Sequence, residues 1–287
     1  MKKKIAICMA MLLMLSTVGC GSQTSKEQPG NSQTIQYSNL ADEDSRSAVG
    51  DLLENNGLPK QQVEAVLTWA KDYTELLPQS AALPEGFQPL PEAGADYSGT
   101  FPDDTGEAYA YLQWLNCRLT AFSLLKDQIK TARSGFDTDL WLMFDIEAID
   151  TVPELALSAE QRADFITLFN HVSVEGTTAL QEHEERIQAA WKEREIQLSV
   201  GDAVSLICVY LHDPMDEARF VGHTGVLVKQ EDSLLFVEKY SNLAPFQATY
   251  FHDRKELKQY LLSRTDLYGD GTELAPILIE NGTLFTD

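Results

Sequence analysis

Three residues far apart in the chain have the types and settings needed for nucleophilic acyl transfer. Cys117 follows Asn116, a residue suited to cap a helix, and Leu119, Phe122, Leu125 and Ile129 recur behind it at helical spacing. A cysteine in the first turn of a helix meets N–H groups with no intrahelical partner and the positive end of the helix dipole. Both stabilise a thiolate. Arg118 adds positive charge beside it, and the same N–H groups could hold an oxyanion. His223 lies in Val221-Gly222-His223-Thr224-Gly225-Val226-Leu227-Val228. On a strand, His223, Gly225 and Leu227 share one face, and Gly225 leaves space for a group approaching the imidazole. That suits a general base. Glu238 enters through the turn at Gln230–Ser233. If Gln230 pairs with Ser233, Gly225 faces Glu238 and His223 faces Tyr240, so Glu238 is the diagonal same-face neighbour of His223. A carboxylate there would hold the imidazole tautomer and stabilise its charged form. A slip of one residue would send Glu238 to the opposite face.

Each residue also has a plainer role. Cys117 could be a small core residue, and would sit in mid-helix if its helix began at Glu107. It could instead form a disulfide with Cys208, since exported chains favour such pairs. His223 could be a hydrogen-bonded strand histidine. Glu238 could be a solvated glutamate at a strand end, paired with Lys239 or another neighbour.

The elements that must position these residues fall into two parts. From Asn39 to Trp69, Ala48, Leu52 and Leu53 mark one helical face, and Pro59 opens a second helix through Val63, Val66, Leu67 and Ala70. Pro78 to Thr100 is loop, dense in Pro and Gly. Glu107 to Leu115 leads into the Cys117 helix. Ser158 to Gln197 reads as one or two long helices, opened by Ser158 with Gln161 three residues on, with Arg186, Lys192 and Arg194 among glutamates on a solvated face. At Val200 the periodicity changes. Ala203 to Leu211 is apolar but for Ser205, as in a strand buried on both faces, and His223–Lys229 with Leu234–Tyr240 form a hairpin. Asp253 to Leu262 is helical and Ala275 to Ile279 a last short strand. The pattern predicts an α+β fold. The pentapeptide Tyr37 to Ala41 recurs as Tyr240 to Ala244, with no longer period around it.

The N-terminus predicts where the chain works. Lys2, Lys3 and Lys4 precede an apolar run, Ile5 to Leu15, that ends in Ser16-Thr17-Val18-Gly19-Cys20. A basic start, a short apolar core and small residues at the cut describe a signal peptide over residues 1–19. The ending resembles a lipobox, with Thr17 where leucine is usual. It implies diacylglycerol on Cys20, palmitate-type acylation and a lipoprotein on the extracytoplasmic face of the cell membrane. Residues 20–36, rich in Ser, Gln, Thr and Gly, read as a flexible tether. An ordinary cleaved secretion signal is the alternative. Export removes Cys8 and lipidation occupies Cys20, leaving Cys117 and Cys208.

Composition narrows the partners. The net charge is −22, and loss of the three leader lysines takes it to −25. Nucleic-acid binding needs a basic footprint, and anionic lipids repel such a surface, so neither is expected. A hydrophobic fraction of 44% supports an ordinary core, expected to be monomeric. No metal or cofactor is expected. His183-Glu184-Glu185-Arg186 starts like a zinc-protease helix, but Ile187 fills the second histidine position. His171, His183, His212 and His252 show no ligand spacing. Asp266, Asp270 and Gly271 hint at a calcium loop, but Tyr268 and Ile277 stand where oxygen donors are required.

Asn116-Cys117-Arg118, Gly201-Asp202 before a strand, and His223-Thr224-Gly225-Val226 together resemble the NlpC-type superfamily of papain-like cysteine hydrolases of bacterial cell walls. That resemblance implies a helix-start cysteine facing a histidine on the second strand of a small antiparallel sheet or barrel, with a polar orienter on the next strand. It also implies amidase or peptidase activity on peptidoglycan or other envelope peptides, with Cys117, His223 and Glu238 in the three roles. Two departures stand out. A helical insertion at about residues 136–199 separates cysteine from barrel, and Asn116 stands where many members have Asp. The mature chain also resembles an uncharacterised family of bacterial lipoproteins, through Asn116-Cys117-Arg118 and the stretch from Val237-Glu238-Lys239 to Pro245-Phe246-Gln247. The expectation is one papain-like α+β domain over residues 37–287, catalytic on an amide, or else a non-catalytic envelope-binding lipoprotein on the same scaffold.

Overall fold

The computed structural model describes residues 34–102, 107–132, 139–264, 267 and 273–287. The signal segment, Cys20, the tether up to residue 33 and the Asp266, Asp270 and Gly271 positions lie outside the described residues. The helices are α1 (Glu43–Asn55), α2 (Lys60–Glu75), α3 (Tyr109–Leu112), α4 (Cys117–Leu125), α5 (Met143–Thr151), α6 (Ala159–Phe169), α7 (Leu180–Glu193) and α8 (Arg254–Ser263). The strands are β1 (Gln36–Ser38), β2 (Gln88–Pro89), β3 (Ile129–Lys130), β4 (Val172–Ser173), β5 (Gln197–Leu198), β6 (Val204–Asp213), β7 (Ala218–Lys229), β8 (Leu234–Lys239), β9 (Phe246–Phe251), β10 (Ile277–Glu280) and β11 (Thr283–Leu284). The fold is α+β around an antiparallel sheet. Among the described residues no helix is long and apolar enough to cross a membrane.

Local chemistry sets the helix starts. Asp42 accepts from the Ser45 N–H at α1, Asn116 from Leu119 at α4, and Asp253 from Glu256 at α8. At α6, Ser158 and Gln161 bond reciprocally in a capping box. The buried face of α1 is Ser45, Val49 and Leu53, while Ala48 is exposed, so the apolar stripe lies about one residue from its expected position. The Cys117 helix is shorter than its apolar spacing suggests. Ile129 leaves it to pair with Leu198, as β3 joins β5. That two-stranded pairing closes the base of the expected insertion. Within that segment, Ser158–Gln197 breaks into α6 and α7 with β4 between them. Arg194 is not on a solvated face. It is buried, and its guanidinium donates to the carbonyls of Thr167, Asn170 and His171.

The large sheet runs β11-β10-β6-β7-β8-β9-β1-β2, with β4 pairing to β7. Five of these strands (β1, β2, β4, β9 and β11) lie outside the strands expected from the sequence, and β7 starts at Ala218, ahead of His223. The β7–β8 register is the expected one: Val226 pairs with Val237 and Lys229 with Leu234, and the Gln230 N–H donates to the Ser233 carbonyl at 2.9 Å. The sheet is covered on both sides. Leu206, Cys208 and Tyr210 of β6 join the core under the helices, while Ile207 and Val209 join a second core with Leu257 and Leu261 of α8. Burial on both faces is why β6 is apolar without alternation.

Candidate active site

The site forms where the start of α4 meets an irregularity in β7. Opposite β6, Val209 pairs with His223 but Tyr210 pairs with Val221, so Gly222 is an extra residue in the ladder. Such a bulge bends a strand and re-aims its side chains. The Gly222 carbonyl lies 3.9 Å from the Cys117 sulfur. The thiol also hydrogen-bonds the His223 ring and the Thr224 N–H. The structure thus brings together Cys117, His223 and Glu238. Their exposures are 7%, 1% and 1%.

His223 Nε2 lies 2.5 Å from Glu238 Oε2. An imidazole has two ring nitrogens, so Nδ1 is left for the thiol. The other carboxylate oxygen of Glu238 accepts from the Tyr260 hydroxyl at 2.6 Å, and Arg264 donates to Oε2 at 3.2 Å. Tyr260 accepts from Gln247 at 2.8 Å, Gln247 accepts from the Tyr97 hydroxyl at 2.6 Å, and Tyr97 accepts from Asn39 at 2.6 Å. Glu238 is therefore no solvated strand-end glutamate, and its partner is not Lys239. It anchors a buried polar chain that ties α8, β9, the loop around Tyr97 and the residue after β1 to the histidine.

The charges reinforce one another. Burial pushes the Cys117 thiol up, but the charge and hydrogen bond of His223, the charge of Arg118 and the Thr224 N–H outweigh it, and the net shift is downward. Burial pulls His223 down, yet Glu238 and Cys117 carry it up to about 9. Burial opposes ionisation of Glu238, but His223, Arg264 and Tyr260 hold it below the usual carboxylate range. The arrangement favours a thiolate beside an imidazolium, oriented by a carboxylate.

A buried carboxylate from the helical segment between α4 and β6 braces the cysteine. Asp145 of α5 takes Arg118 through both oxygens, at 3.2 and 2.6 Å, and accepts from Asn116 at 2.8 Å. Asn116 thus caps α4 with its oxygen and donates with its nitrogen. An aspartate at 116 would set two carboxylates against each other, which accounts for the amide here. Arg118 also reaches the Val221 and Trp141 carbonyls. Both residues flanking Cys117 are thus held by Asp145, and Arg118 is also tied to Val221, the residue before the bulge.

Gly225 has a different cause from the one expected. A Cβ there would come within 2.8 Å of the Val237 carbonyl and into the Phe236 ring, so the space beside it is taken by β8 and not by the cysteine helix. Cys208 is a free thiol, fully buried on β6, and no disulfide joins it to Cys117. A cleft of about 450 Å³ opens over Cys117 and His223, bordered by Trp114, Phe144, Tyr240, Ser241 and Asn242. Tyr240 and Ser241 also border a larger groove of about 950 Å³ beside α8.

A family model described as a domain of unknown function, DUF4300, matches residues 36–285. The chain belongs to this family. Neither the curated proteins nor the solved structures contain a match to it. The matched span takes in every site residue of the DUF4300 chain named above. Asp145, Tyr260 and Arg264 have no local signal in the sequence because each reaches the site from an element outside the β7–β8 hairpin and the Cys117 helix, and Gln247 sits directly opposite Glu238 on β9, a strand not expected from the sequence. Among the described residues no group of three or more His, Cys, Asp or Glu side chains is placed to hold a metal ion.

Proposed function

We propose that this chain is a lipid-anchored cysteine hydrolase of the cell envelope that cleaves an amide bond, on a papain-like core of the NlpC type. The observation that carries the reading is the His223–Glu238 contact behind a helix-start cysteine. A lone buried cysteine or histidine would have no use for a third residue that fixes the ring and stabilises its charge.

The chemistry follows from the geometry. The Cys117 thiolate attacks the amide carbonyl carbon, and the first-turn N–H groups of α4 receive the developing oxyanion. The C–N bond breaks as the imidazolium gives its proton to the departing nitrogen, leaving a thioester on Cys117 and neutral His223. Water then attacks the thioester as His223 takes its proton. The carboxylic acid leaves and the thiolate–imidazolium pair is restored. Glu238 keeps the ring aligned throughout and does not exchange protons. Peptides of peptidoglycan are the substrate class proposed, reached from an anchor on Cys20.

Incubation of the purified protein with muropeptides, read by mass spectrometry, tests the activity. The expected result is a new carboxylate and amine pair, lost in Cys117→Ala. Muropeptide binding with no turnover in the unmodified protein would replace the reading with a binding module. Cys20→Ala should release the protein from the membrane fraction.

A further inference from the structure

Lys239 follows Glu238 in β8, so strand alternation turns its side chain to the opposite face of the sheet, away from His223. It is fully buried. Its ammonium donates to the carbonyls of Ser241, at 3.0 Å, and Ala244. The rings of Tyr73 and Phe246 lie 4.4 and 5.3 Å from it. The Tyr73 hydroxyl sits 2.8 Å from the Leu243 carbonyl. Three carbonyls of the six-residue loop between β8 and β9, those of Ser241, Leu243 and Ala244, therefore turn inward onto two buried side chains. A hairpin loop ordinarily leaves such groups to water. The outer side of the same loop borders the Cys117 cleft through Ser241 and Asn242, and the larger groove through Leu243 and Ala244.

We infer that Lys239 is a positioning residue: its charged, buried amine clamps the 241–244 loop inward and thereby sets the width of the opening above Cys117. The inference rests on reading that cleft as the place where substrate sits. The clamp is also sensitive to protonation. Burial pulls the Lys239 amine down to about 7, opposed by the negative charge of Cys117, and Tyr73 of α2 and Cys117 of α4 are the titratable groups facing it. As pH rises through about 7 the charge is lost and its hold on the two carbonyls weakens.

Alkylation of Cys117 tests this without requiring turnover. Full-length protein is treated with iodoacetamide and, separately, with a fluorescein-bearing iodoacetamide, and each rate is read at Cys117 by peptide mass spectrometry. The ratio of small-reagent to bulky-reagent rates cancels the thiolate fraction and reports the opening alone. The ratio should fall roughly tenfold between pH 6 and 8.5, the factor expected when a hydrogen bond to a charged group is lost from a two-state loop. Lys239→Met should show the low ratio at every pH, and Lys239→Arg should restore most of the high one. An unchanged ratio in folded Lys239→Met, or a ratio independent of pH in the unmodified protein, overturns the clamp. If Lys239→Met fails to fold, the unmodified pH series decides. A chain that hydrolyses nothing but shows the ratio change would retain the clamp and lose only the catalytic reading.

Discussion

Cys117 and Cys208 are both buried free thiols, and Thr224 stands between them. Its backbone N–H donates to Cys117, and its hydroxyl oxygen lies 3.7 Å from the Cys208 sulfur. The two thiols nevertheless move in opposite directions. Burial pushes Cys208 up to about 12, with only the Thr224 hydroxyl opposing it, while Cys117 is held below its ordinary value. Burial is common to both, so it cannot be the cause of the difference. What distinguishes them is charge and backbone: Cys117 begins a helix next to Arg118 and faces a histidine that is itself held cationic, whereas Cys208 lies in mid-strand with its N–H and C=O already in the ladder. Reactivity here is a property of the neighbours.

The largest break in that comparison should come from exchanging which thiol is lost. Cys117→Ala should lower amide hydrolysis by about four orders of magnitude or more, while Cys208→Ala should leave it within about twofold. Muropeptide turnover checks both. Glu238→Gln keeps the shape but removes the charge behind His223, and should cost about a thousandfold in kcat. It should also move the alkaline limb of the pH–rate profile downward from about 9, because the carboxylate is what raises the imidazolium. An unmoved limb would show that Glu238 is structural only. Asp145→Asn should cost about 3 kcal/mol of stability in urea unfolding, since it leaves the half-paired Arg118 in a buried setting. His223→Ala should slow iodoacetamide labelling of Cys117 at pH 7 by about tenfold, and a rate as fast as in the unmodified protein would locate the activation elsewhere. The stability of the pair has a defined pH window. His223 titrates higher when folded than its usual 6.5, so its contribution is complete below that value and is lost as pH rises through about 9. Glu238 titrates lower when folded, so its contribution holds above the usual carboxylate range and disappears as pH falls through its depressed value. The smallest effect expected is from Cys208→Ala, about 1 kcal/mol of core packing.

The site was legible where local rules suffice. A cap at Asn116 and a two-residue turn after Gln230 fix Cys117 at a helix start and Glu238 on the face of His223, and both follow from short-range chemistry. The Tyr260 and Arg264 contacts to Glu238 were not, because α8 reads only as an amphipathic helix and nothing local says which strand face it covers. The repeated pentapeptide shows the limit plainly. In its first copy Leu40 is fully buried with a positive φ of 58°, and in its second Leu243 is 54% exposed at the rim of a loop. Identical residues take opposite environments because β9 receives β1 on one side and Lys239 draws the loop inward on the other. Strands as short as β1, β2 and β4 carry too few residues for alternation to be read at all.

Every residue of β8 is buried, as are all those of β7 from His223 to Val228, and both strands sit in the interior of the sheet. The amides flanking the histidine and its carboxylate should consequently be among the slowest in the molecule to exchange with deuterated water, opening only with the whole sheet. In that respect the proposed catalytic groups belong to the most durable part of the protein, and any adjustment to a bound molecule falls to the 241–244 loop at its edge.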